Sequence, residues 1–517
     1  MHRPEDRPRA PSPPAAASPD PALAARYFCT ASRGLERFLA REVRARLPAR
    51  QVEQISGKVF FTADADLKRI KSLKCAERLF LLVEKLPPFQ LPRHRGKGVH
   101  AISKYVIGEP QKWLDVVSKW KSLWNLDKVQ ECSLEVAETG IKRSIQQESG
   151  QSKRPKLEVD KPHAAQTGHS HSLHQGCSQD DALMEEPPSL AKLPNPRSEE
   201  AASCMPFRVS CRCSGKIAKQ FTSQELGRAI GIALGRQMGW KAELRNPMLE
   251  VYVHLNDVHC VVGIPILRLP LASRDYIKNP GLRSTVAWAM AYLGDIQAGS
   301  IVLDPMCGLG TILLEAAKDW PNAYYHGIDN TASQLQMASV NVCFAKLESN
   351  IDLTRASVTE LPLLDESIDV LICDIPFGKK FKITHDTKAM MPYILKEMVR
   401  VLRAEGTLVL LLSQELSVDI QQWQRPRGQQ REEGQPAAQE EQSSAPLETA
   451  GVKESAAAEN ELSRVKAEAW ASLIPEGIFP VSLGVTEASI HKYKKVPHNV
   501  SENVDRDLGQ HSEPPSD

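Results

Sequence analysis

The chain has 517 residues, which suggests roughly two to four domains, and its 65 Lys and Arg residues are nearly balanced by 63 Asp and Glu residues. This balance excludes a chain that is basic throughout, so any face that binds nucleic acid must be local. The proline-rich N-terminus lacks the apolar core of a signal peptide, and no apolar run approaches the roughly 20 residues that cross a bilayer. We therefore expect a soluble intracellular protein with no membrane partner.

The first folded region is expected at 23–140, after a stretch at 1–22 that has the composition of a disordered segment. RYFCTAS and GKVFFTA are typical of strands, and GLERFLAREVRARL has helical spacing through Leu35, Leu39 and Val43. ADLKRIKSL follows as a helix, and ERLFLLVEKL fits either a helix or a strand. The alternation predicts a small α+β domain.

A polar stretch without periodicity at 141–205 is expected to be a disordered linker or insertion. Its histidines His169, His171 and His174 fit a flexible His-rich loop better than a specific site, so no metal is predicted. The same stretch contains KRPK at 153–156, a basic run that an import receptor can read when it is exposed. A nuclear import signal and a chance cluster of charges both fit KRPK. We expect the protein in the nucleus, with the cytoplasm as a second location.

Order is expected to resume at 206–275. FRVSCRCSGK is typical of a strand, and FTSQELGRAIGIALGRQMG of a helix with Thr222 or Ser223 as its N-cap. LEVYVHLND and HCVVGIPIL follow as strands. Cys211 and Cys213 flank one arginine, which is closer than the C-x-x-C spacing of a zinc knuckle. Because the 11 cysteines have no regular spacing, we expect reduced thiols.

From residue 276 the pattern becomes α/β. Helices alternate with apolar strands over 276–416, which predicts a parallel sheet with helices on both faces. A polar insertion is expected at 417–469. Two strand-like runs at 470–497 would return to the same sheet as an antiparallel pair, with the insertion looping out between neighbouring strands. A disordered tail is expected at 498–517.

The segment SIVLDPMCGLGTILLEAA predicts a strand, a tight turn and a helix. Asp304 ends the strand, and Gly308 and Gly310 allow the backbone to approach a ligand closely. Thr311 is the expected cap of the helix, whose N-terminus suits an anionic group. A P-loop is excluded because G-x-x-x-x-G-K-[ST] is absent, and a G-x-G-x-x-G dinucleotide site would need a third glycine.

Two further strands end in acids. The strand AYYHGID ends at Asp329, about 20 residues past the glycines, where a carboxylate can accept both hydroxyls of a ribose. The alternative is a loop acid that caps the next helix. A later strand, VLIC, runs directly into DIPFGKKF, so that Asp374 and the ring of Phe377 follow at its end.

These three segments resemble the successive motifs of class I S-adenosylmethionine-dependent methyltransferases, and D-x-P-F resembles their [DN]-P-P-[YF] signature for amino-group methylation. The resemblance implies a Rossmann-like fold and S-adenosylmethionine as the cofactor. The cofactor-binding residues that it implies are Asp304, Gly308, Gly310, Thr311, Asp329 and Ser357. The catalytic residues that it implies are Asp374, Pro376 and Phe377.

The acid and the ring suit the methylation of a base. An exocyclic amine is a poor nucleophile because its lone pair is delocalised into the ring. The Asp374 carboxylate and a backbone carbonyl can hold its N–H bonds and direct the lone pair, while Phe377 stacks on the extruded base. Guanine offers two adjacent donors, which a carboxylate accepts, whereas adenine suits asparagine better. Guanine is therefore favoured, although adenine enzymes with an acid at this position also exist.

The segment from FRVSCRCSGK to LASRDY resembles a THUMP domain, an RNA-binding module, and RDYIKNPGLRSTVAWAMAYL resembles the connection found in THUMP-bearing guanine-N2 RNA methyltransferases. This likeness implies a ferredoxin-like domain at 23–140 and a THUMP domain at 206–275. It also implies that N2-methylguanosine is formed in structured RNA, with U6 small nuclear RNA as the expected substrate and tRNA as the alternative. A small zinc-ribbon activator subunit in a heterodimer is a further implication.

Two positions depart from the family pattern. Ala356 and Ser357 stand where the family often has an acid, and Ile375 replaces a proline, which leaves a backbone N–H and a freer loop. The rival functions are methylation of an adenine or glutamine amine, and RNA binding by an inactive methyltransferase fold. The THUMP-like region argues against a protein substrate, and the intact acids and glycines argue against inactivity.

Lysines near the RNA module and the mouth of the active site are candidate phosphate contacts, although each alone fits a solvated surface charge better. They are Lys216, Lys219, Lys379, Lys380 and Lys382.

Overall fold

The structure, a computed structural model, describes residues 24–64, 66–90, 95–124, 205–376, 385–424, 464–466, 468–484 and 486–497. The chain divides into two compact units. One unit contains the residues up to Pro87 and those from His259 onward, and the other is Pro88–Val258. No helix within the described ranges is long and apolar enough to cross a membrane.

The N-terminal part of the first unit is an α+β layer. It contains β1 (Ala25–Thr30), α1 (Glu36–Arg46), β2 (Ala49–Ile55), β3 (Lys58–Ala63), α2 (Leu67–Lys71) and β4 (Arg78–Leu86), and the later strand β8 (Cys260–Pro265) adds to it. These strands pair antiparallel in the order β2-β3-β1-β4-β8. The small α+β domain that the sequence predicts is therefore present here.

An aromatic row holds the middle of this layer together. Phe28 on β1 lies directly opposite Phe60 on β3 and Phe80 on β4. The ring centroids are 5.6 Å and 4.6 Å from that of Phe28, and all three side chains are buried. Cross-strand aromatic pairs of this kind stabilise a sheet. They also explain why ERLFLLVEKL, which fits a helix or a strand by sequence, forms the strand β4.

The second sheet of the first unit has seven strands. Its elements are α7 (Ser284–Leu293), β9 (Ile301–Asp304), α8 (Thr311–Asp319), β10 (Tyr324–Asp329), α9 (Ala332–Ala345), β11 (Ile351–Arg355), β12 (Ile368–Asp374), α10 (His385–Val401), β13 (Leu402–Ser413), α11 (Gln414–Trp423), β14 (Leu473–Ser482) and β15 (Glu487–Lys495). The strand order is β11-β10-β9-β12-β13-β15-β14.

The first five strands in this order pair parallel, and β15 and β14 return antiparallel. The predicted parallel sheet and the predicted antiparallel return of the C-terminal strands are both confirmed. Leu371, Leu395 and Leu410 are completely buried in the core that covers one face of the sheet. Strands buried on both faces explain the nearly continuous apolar runs in the sequence.

A buried ion pair ties the segment before α7 to α8. The guanidinium of Arg274 donates to both carboxylate oxygens of Glu315, over 2.9 Å and 3.1 Å, and the hydroxyl of Tyr276 donates to one of them over 2.8 Å. Arg274 also donates to the backbone carbonyl of Lys74 in the N-terminal layer. Bidentate geometry and full pairing make this buried charge tolerable, and the segment is thereby fixed beside the sheet.

The second unit contains α3 (Arg95–Ile107), a helix α4 at 110–124, β5 (Pro206–Cys213), α5 (Gly215–Gln220), α6 (Ser223–Met238), β6 (Lys241–Ala242) and β7 (Leu249–Leu255). β5 pairs parallel with both β7 and β6. Thr222 caps α6, as expected, because its hydroxyl accepts from the Glu225 backbone N–H over 3.1 Å.

Three boundaries differ from the sequence prediction. Residues 95–124 were grouped with the N-terminal domain, but α3 packs on α6 and Trp113 of α4 meets Trp240 edge to face, with centroids 6.3 Å apart. Residues 417–423 were assigned to the insertion, but they continue α11, in which Ile420 is buried. The described residues 464–466 and 468–469 were assigned to it as well, but they are helical, and Val465 and Ala469 are buried. These segments are largely polar in sequence, so the few large apolar side chains that anchor them were not recognised as parts of a core. The expectations for 1–22, 141–204, 425–463 and 498–517 lie outside the described residues.

Candidate active site

Three carboxylates meet at one edge of the seven-stranded sheet. Asp304, Asp329 and Asp374 are the last residues of β9, β10 and β12, which are adjacent in the order β10-β9-β12. The register pairs Gly327 with Asp304, and Leu303 with Leu371. Because these strands are parallel, their carboxyl ends open on the same side, which is where ligands bind in open α/β sheets.

Backbone hydrogen bonds fix the conformation of the turn after β9. The Cys307 N–H donates to the Ile328 carbonyl over 2.9 Å, and the Gly310 N–H to the Cys307 carbonyl over 2.8 Å. Gly308 and Gly310 have φ values of +52° and +75°, a region that favours glycine. A Cβ atom on Gly308 would meet nothing within 4 Å, so open space lies over the turn.

Asp329 fixes this turn to the next loop. One of its carboxylate oxygens accepts the Gly308 N–H over 3.0 Å, and the other accepts the Thr331 N–H over 2.8 Å. Its backbone carbonyl accepts the Ala356 N–H over 3.3 Å. The alternative reading of Asp329, a loop acid that holds the start of the next helix, is therefore also part of the geometry. One carboxylate holds two backbone segments and still lies partly exposed at the sheet edge.

Asn341 on α9 is a positioning residue that the sequence analysis missed. It is fully buried and binds two chain segments at once. Its amide donates to the carbonyls of Asn279 and Leu309, over 2.9 Å and 3.0 Å, and its oxygen accepts the Asn279 N–H over 2.8 Å. The glycine turn is thereby tied to the segment 279–283. A lone asparagine in a helix has no pattern that would reveal this role.

The end of β12 is more regular than expected. The Ile375 N–H, which exists because isoleucine replaces a proline, donates to the Leu411 carbonyl over 3.1 Å and extends the pairing with β13. Ile375 is fully buried, so the loop at this residue is not freer, contrary to expectation. Pro376 follows and is half-buried, whereas Phe377 lies outside the described residues.

Burial sets the protonation of two of the acids. It raises the pKa of Asp374 to about 7. The pKa of Asp304, which is almost fully buried, is raised well above its usual range, first by burial and then by the neighbouring charges of Asp374 and Asp329. The Met306 N–H, which donates to Asp304 over 3.3 Å, opposes that shift. Burial therefore favours the protonated form of both acids, and Asp374 titrates near neutral pH.

Ser357 lies in the loop after β11 and is exposed. Its hydroxyl is 2.8 Å from the Thr359 hydroxyl and accepts the Thr359 N–H over 3.3 Å. The side chain is thus engaged in its own turn. Because Ala356 is bonded to Asp329, the loop nevertheless stays at the same sheet edge as the acids.

Two family models match the chain. The THUMP domain matches residues 190–264, and the "RMKL-like, methyltransferase domain" matches residues 272–432. The acids and the glycine turn described above all lie within the second match. The resemblance found in the sequence motifs agrees with both matches.

A relative from Bos taurus, "U6 snRNA (guanine-N(2))-methyltransferase THUMPD2", is 45% identical over 497 residues, which is 93% of this chain and 98% of that protein. The chain belongs to the THUMP-domain guanine-N2 RNA methyltransferase family. A mouse relative, "tRNA (guanine(6)-N(2))-methyltransferase THUMP3", is 26% identical over 75% of this chain and 80% of that protein. The crystal structure of TrmN from Thermus thermophilus has a TM-score of 0.54 at 18% identity, covering 91% of this chain and 99% of that one, which supports the fold.

As a guanine-N2 methyltransferase of this family, the chain uses S-adenosylmethionine, and the turn fits that group. Thr311 is buried, and its hydroxyl has no hydrogen-bond partner within the described residues. The expectation that Thr311 caps α8 is wrong, because Gly310 occupies the N-cap position and Thr311 is the first helical residue. A buried hydroxyl without a partner beside an open glycine turn can be satisfied by a polar ligand.

Some of the remaining residues that the sequence analysis named lie within the described ranges, and others do not. Lys216 and Lys219 lie exposed on α5 of the second unit. Lys379, Lys380 and Lys382 lie outside the described residues, as do the three histidines and KRPK. Within the described part of the chain, no group of three or more His, Cys, Asp or Glu side chains is arranged to hold a metal ion.

Proposed function

We propose that this chain transfers the methyl group of S-adenosylmethionine to the exocyclic N2 of a guanosine in U6 small nuclear RNA. The observation that carries this proposal is the meeting of Asp374 with Asp329 and the glycine turn at one sheet edge. The identity of 45% to a protein named for this activity supports the RNA. S-adenosylmethionine supplies an electrophilic methyl group when it is bound.

Different residues of the chain bind the cofactor and the base. Asp329 and the turn around Gly308 bind the ribose and the methionine end of the cofactor. Asp374 accepts the two adjacent N–H groups of the guanine edge, N1–H and N2–H, and aims the N2 lone pair. The amine becomes acidic as it gains the methyl group, and a carboxylate whose pKa is about 7 is suited to take the released proton. Phe377 stacks on the base.

The substrate is tested by offering three RNAs to the enzyme: U6 small nuclear RNA, a tRNA, and a U6 variant of the same length with its structure disrupted. Methyl incorporation is followed by mass spectrometry of the nucleosides. We expect N2-methylguanosine in U6 RNA alone. Transfer to the tRNA would instead favour the activity named for the mouse relative. If the enzyme binds the cofactor but modifies none of the RNAs, even with the activator described below, the chain is an inactive RNA-binding protein.

A zinc-ribbon activator subunit is the second part of the proposal. Its support is an apolar stripe on α9, where Met337, Val340 and Phe344 are 38%, 39% and 51% exposed. α9 packs beside β11, which is the terminal strand of the sheet. An apolar helix stripe next to a strand that is terminal among the described strands suits a small partner that adds to the sheet and covers the stripe. The zinc would belong to that partner.

The activator is tested by co-expression and pull-down. Val340→Asp and Phe344→Asp should abolish the complex and lower turnover, because they place charges in an apolar interface. The control is Leu364→Asp, since Leu364 is 80% exposed on a loop elsewhere. Full turnover by the isolated chain, or loss of binding with the control alone, would contradict this part of the proposal.

Nuclear localisation is the third part, and it rests on the KRPK run. A fluorescent fusion should be nuclear, and replacing Lys153, Arg154 and Lys156 by alanine should shift it to the cytoplasm. An unchanged nuclear pool would mean that the run is not needed.

A further inference from the structure

Cys211 and Cys213 form a close thiol pair in the second unit. They are alternate residues of β5, so both side chains lie on one face of the strand, and their Sγ atoms are 3.8 Å apart. Both are partly exposed. In contrast, the described cysteines of the first unit are buried, as Cys373 is, except for Cys343 on α9, which is exposed.

The surroundings favour a reactive thiolate at Cys213. The hydrogen bond from Cys211 is the largest influence, and with the Ser223 hydroxyl it lowers the pKa of the Cys213 thiol to about 7, against the opposing effect of burial. Cys213 also donates its backbone N–H to the Ser223 hydroxyl over 3.0 Å, at the start of α6. Burial, in contrast, raises the pKa of Cys75 and Cys373 well above their usual range.

We propose that Cys211 and Cys213 are a dithiol site that hydrogen peroxide oxidises to an intramolecular disulfide, and that the disulfide weakens RNA binding by this domain. The second clause rests on the proposed RNA substrate. The first clause stands on the geometry of the pair alone.

The chemistry balances in two steps. The Cys213 thiolate attacks the peroxide, so that an S–O bond forms, the O–O bond breaks, and hydroxide leaves and takes a proton to become water. The Cys211 thiol then loses its proton to solvent and attacks the sulfenic sulfur, so that the S–S bond forms and a second water leaves. Two thiols lose two electrons and two protons, and the peroxide accepts them.

The strand must deform to close this bond. Alternate Cα atoms of an extended strand are about 6.6 Å apart, near the upper limit of roughly 6.8 Å for a disulfide. The bonded form is therefore strained, and strained disulfides are readily reduced again. Reversibility distinguishes such a site from a structural disulfide.

Deformation at Cys213 is transmitted to the basic helix α5. The next residue, Ser214, donates its N–H to the Leu255 carbonyl over 3.0 Å. Gly215 follows with φ +67°, and Lys216 donates its N–H to the Asp257 carboxylate over 2.9 Å. Lys216 and Lys219 thus take their position from a turn that is continuous with Cys213. Moving this turn displaces cations that can contact phosphates, and RNA affinity falls.

The test uses the full chain, treated with hydrogen peroxide, alkylated with N-ethylmaleimide and analysed by peptide mass spectrometry. RNA affinity is measured by fluorescence anisotropy on the same samples before treatment, after peroxide, and after dithiothreitol. The variants are Cys211→Ser and Cys213→Ser, and the matched control is Cys343→Ser. We expect a Cys211–Cys213 disulfide in the wild type and control only, with a several-fold loss of RNA affinity that dithiothreitol reverses.

Three results would overturn the proposal. One is full alkylation of both thiols after peroxide treatment that oxidises Cys343. Another is an overoxidised Cys213 without a disulfide. A disulfide that leaves RNA affinity unchanged would remove the link to RNA. If the untreated wild type binds no RNA at all, the failure lies instead with the proposed function, and the disulfide readout still decides the chemistry.

Discussion

Two ends of the same active site are built in opposite ways. At the end that we propose binds the cofactor, Asp329 uses both carboxylate oxygens to hold backbone N–H groups, and Asn341 ties the turn to a second segment. At the end that we propose binds the base, burial alone accounts for the raised pKa of Asp374. The difference teaches that the cofactor site is fixed by internal hydrogen bonds before any ligand arrives. The carboxyl of Asp374, in contrast, is held in an environment that disfavours its charge, which the proposed contact with the guanine edge would relieve.

Removing the base-binding acid should have the largest effect. Asp374→Ala is expected to lower turnover by a factor on the order of hundreds or more, because the amine loses the acceptor that orients it. Cofactor affinity, measured by calorimetry with S-adenosylhomocysteine, should stay near wild type. Asp365→Ala, at an exposed acid that precedes the amino end of β12, is the control and should change neither quantity. Near wild-type turnover in Asp374→Ala would refute this role.

Asp329→Ala should act at the other end of the site. It removes the ribose acceptor and leaves the Gly308 and Thr331 N–H groups without their partner. We expect cofactor binding to become undetectable by calorimetry while circular dichroism remains native. Asp352→Ala, on the neighbouring strand β11, is the control. Unchanged affinity in Asp329→Ala would show that this carboxylate does not hold the ribose.

Asn341→Ala tests whether the turn is positioned from outside. The Leu309 and Asn279 carbonyls would lose their donor, and the turn would loosen over the cofactor. The expected result is a rise in KM for S-adenosylmethionine of roughly tenfold, with a smaller change in kcat. Asn350→Ala removes a comparable side chain-to-backbone hydrogen bond, from Asn350 to the Pro321 carbonyl, and should leave KM unchanged. Equal loss of kcat and stability without a KM effect would indicate a purely structural role.

The smallest predicted effect is the dependence of activity and stability on pH, which we attribute to Asp374. Because burial raises the pKa of Asp374 to about 7, its carboxylate is mostly protonated below that pH, and kcat/KM should rise through pH 7 and then level off. Ionisation of Asp374, which should raise kcat/KM, should lower the stability of the fold. A folded-state pKa above the unfolded value means that Asp374 costs stability as pH rises, so Asp374→Asn should raise the melting temperature more at pH 8 than at pH 5. A melting-temperature difference that does not depend on pH would contradict the raised pKa.

The comparison also separates what the sequence could predict from what it could not. The sequence could predict that three acids meet at one sheet edge: Asp304, Asp329 and Asp374. Apolar periodicity shows where strands end, and parallel strands bring their carboxyl ends to one edge. Thr311 was assigned to the wrong helical position because the turn residue Gly310 takes the N-cap.

Other features depended on tertiary contacts that no local pattern encodes. Asn341 bonds to residues that are 62 and 32 positions away in sequence. The Ile375 N–H found a partner on β13 only because the two strands are neighbours. β2, which was not predicted, is a mostly exposed polar strand at the edge of its sheet, so it lacks the apolar alternation that reveals strands.

The most direct test of the account is mass spectrometry of the nucleosides in U6 small nuclear RNA after incubation with S-adenosylmethionine and either the wild-type chain or Asp374→Ala, each with the proposed activator. We predict N2-methylguanosine from the wild type and almost none from Asp374→Ala, although both bind the cofactor equally. N6-methyladenosine as the product, or equal N2-methylguanosine from both proteins, would contradict the claim that Asp374 holds the guanine edge.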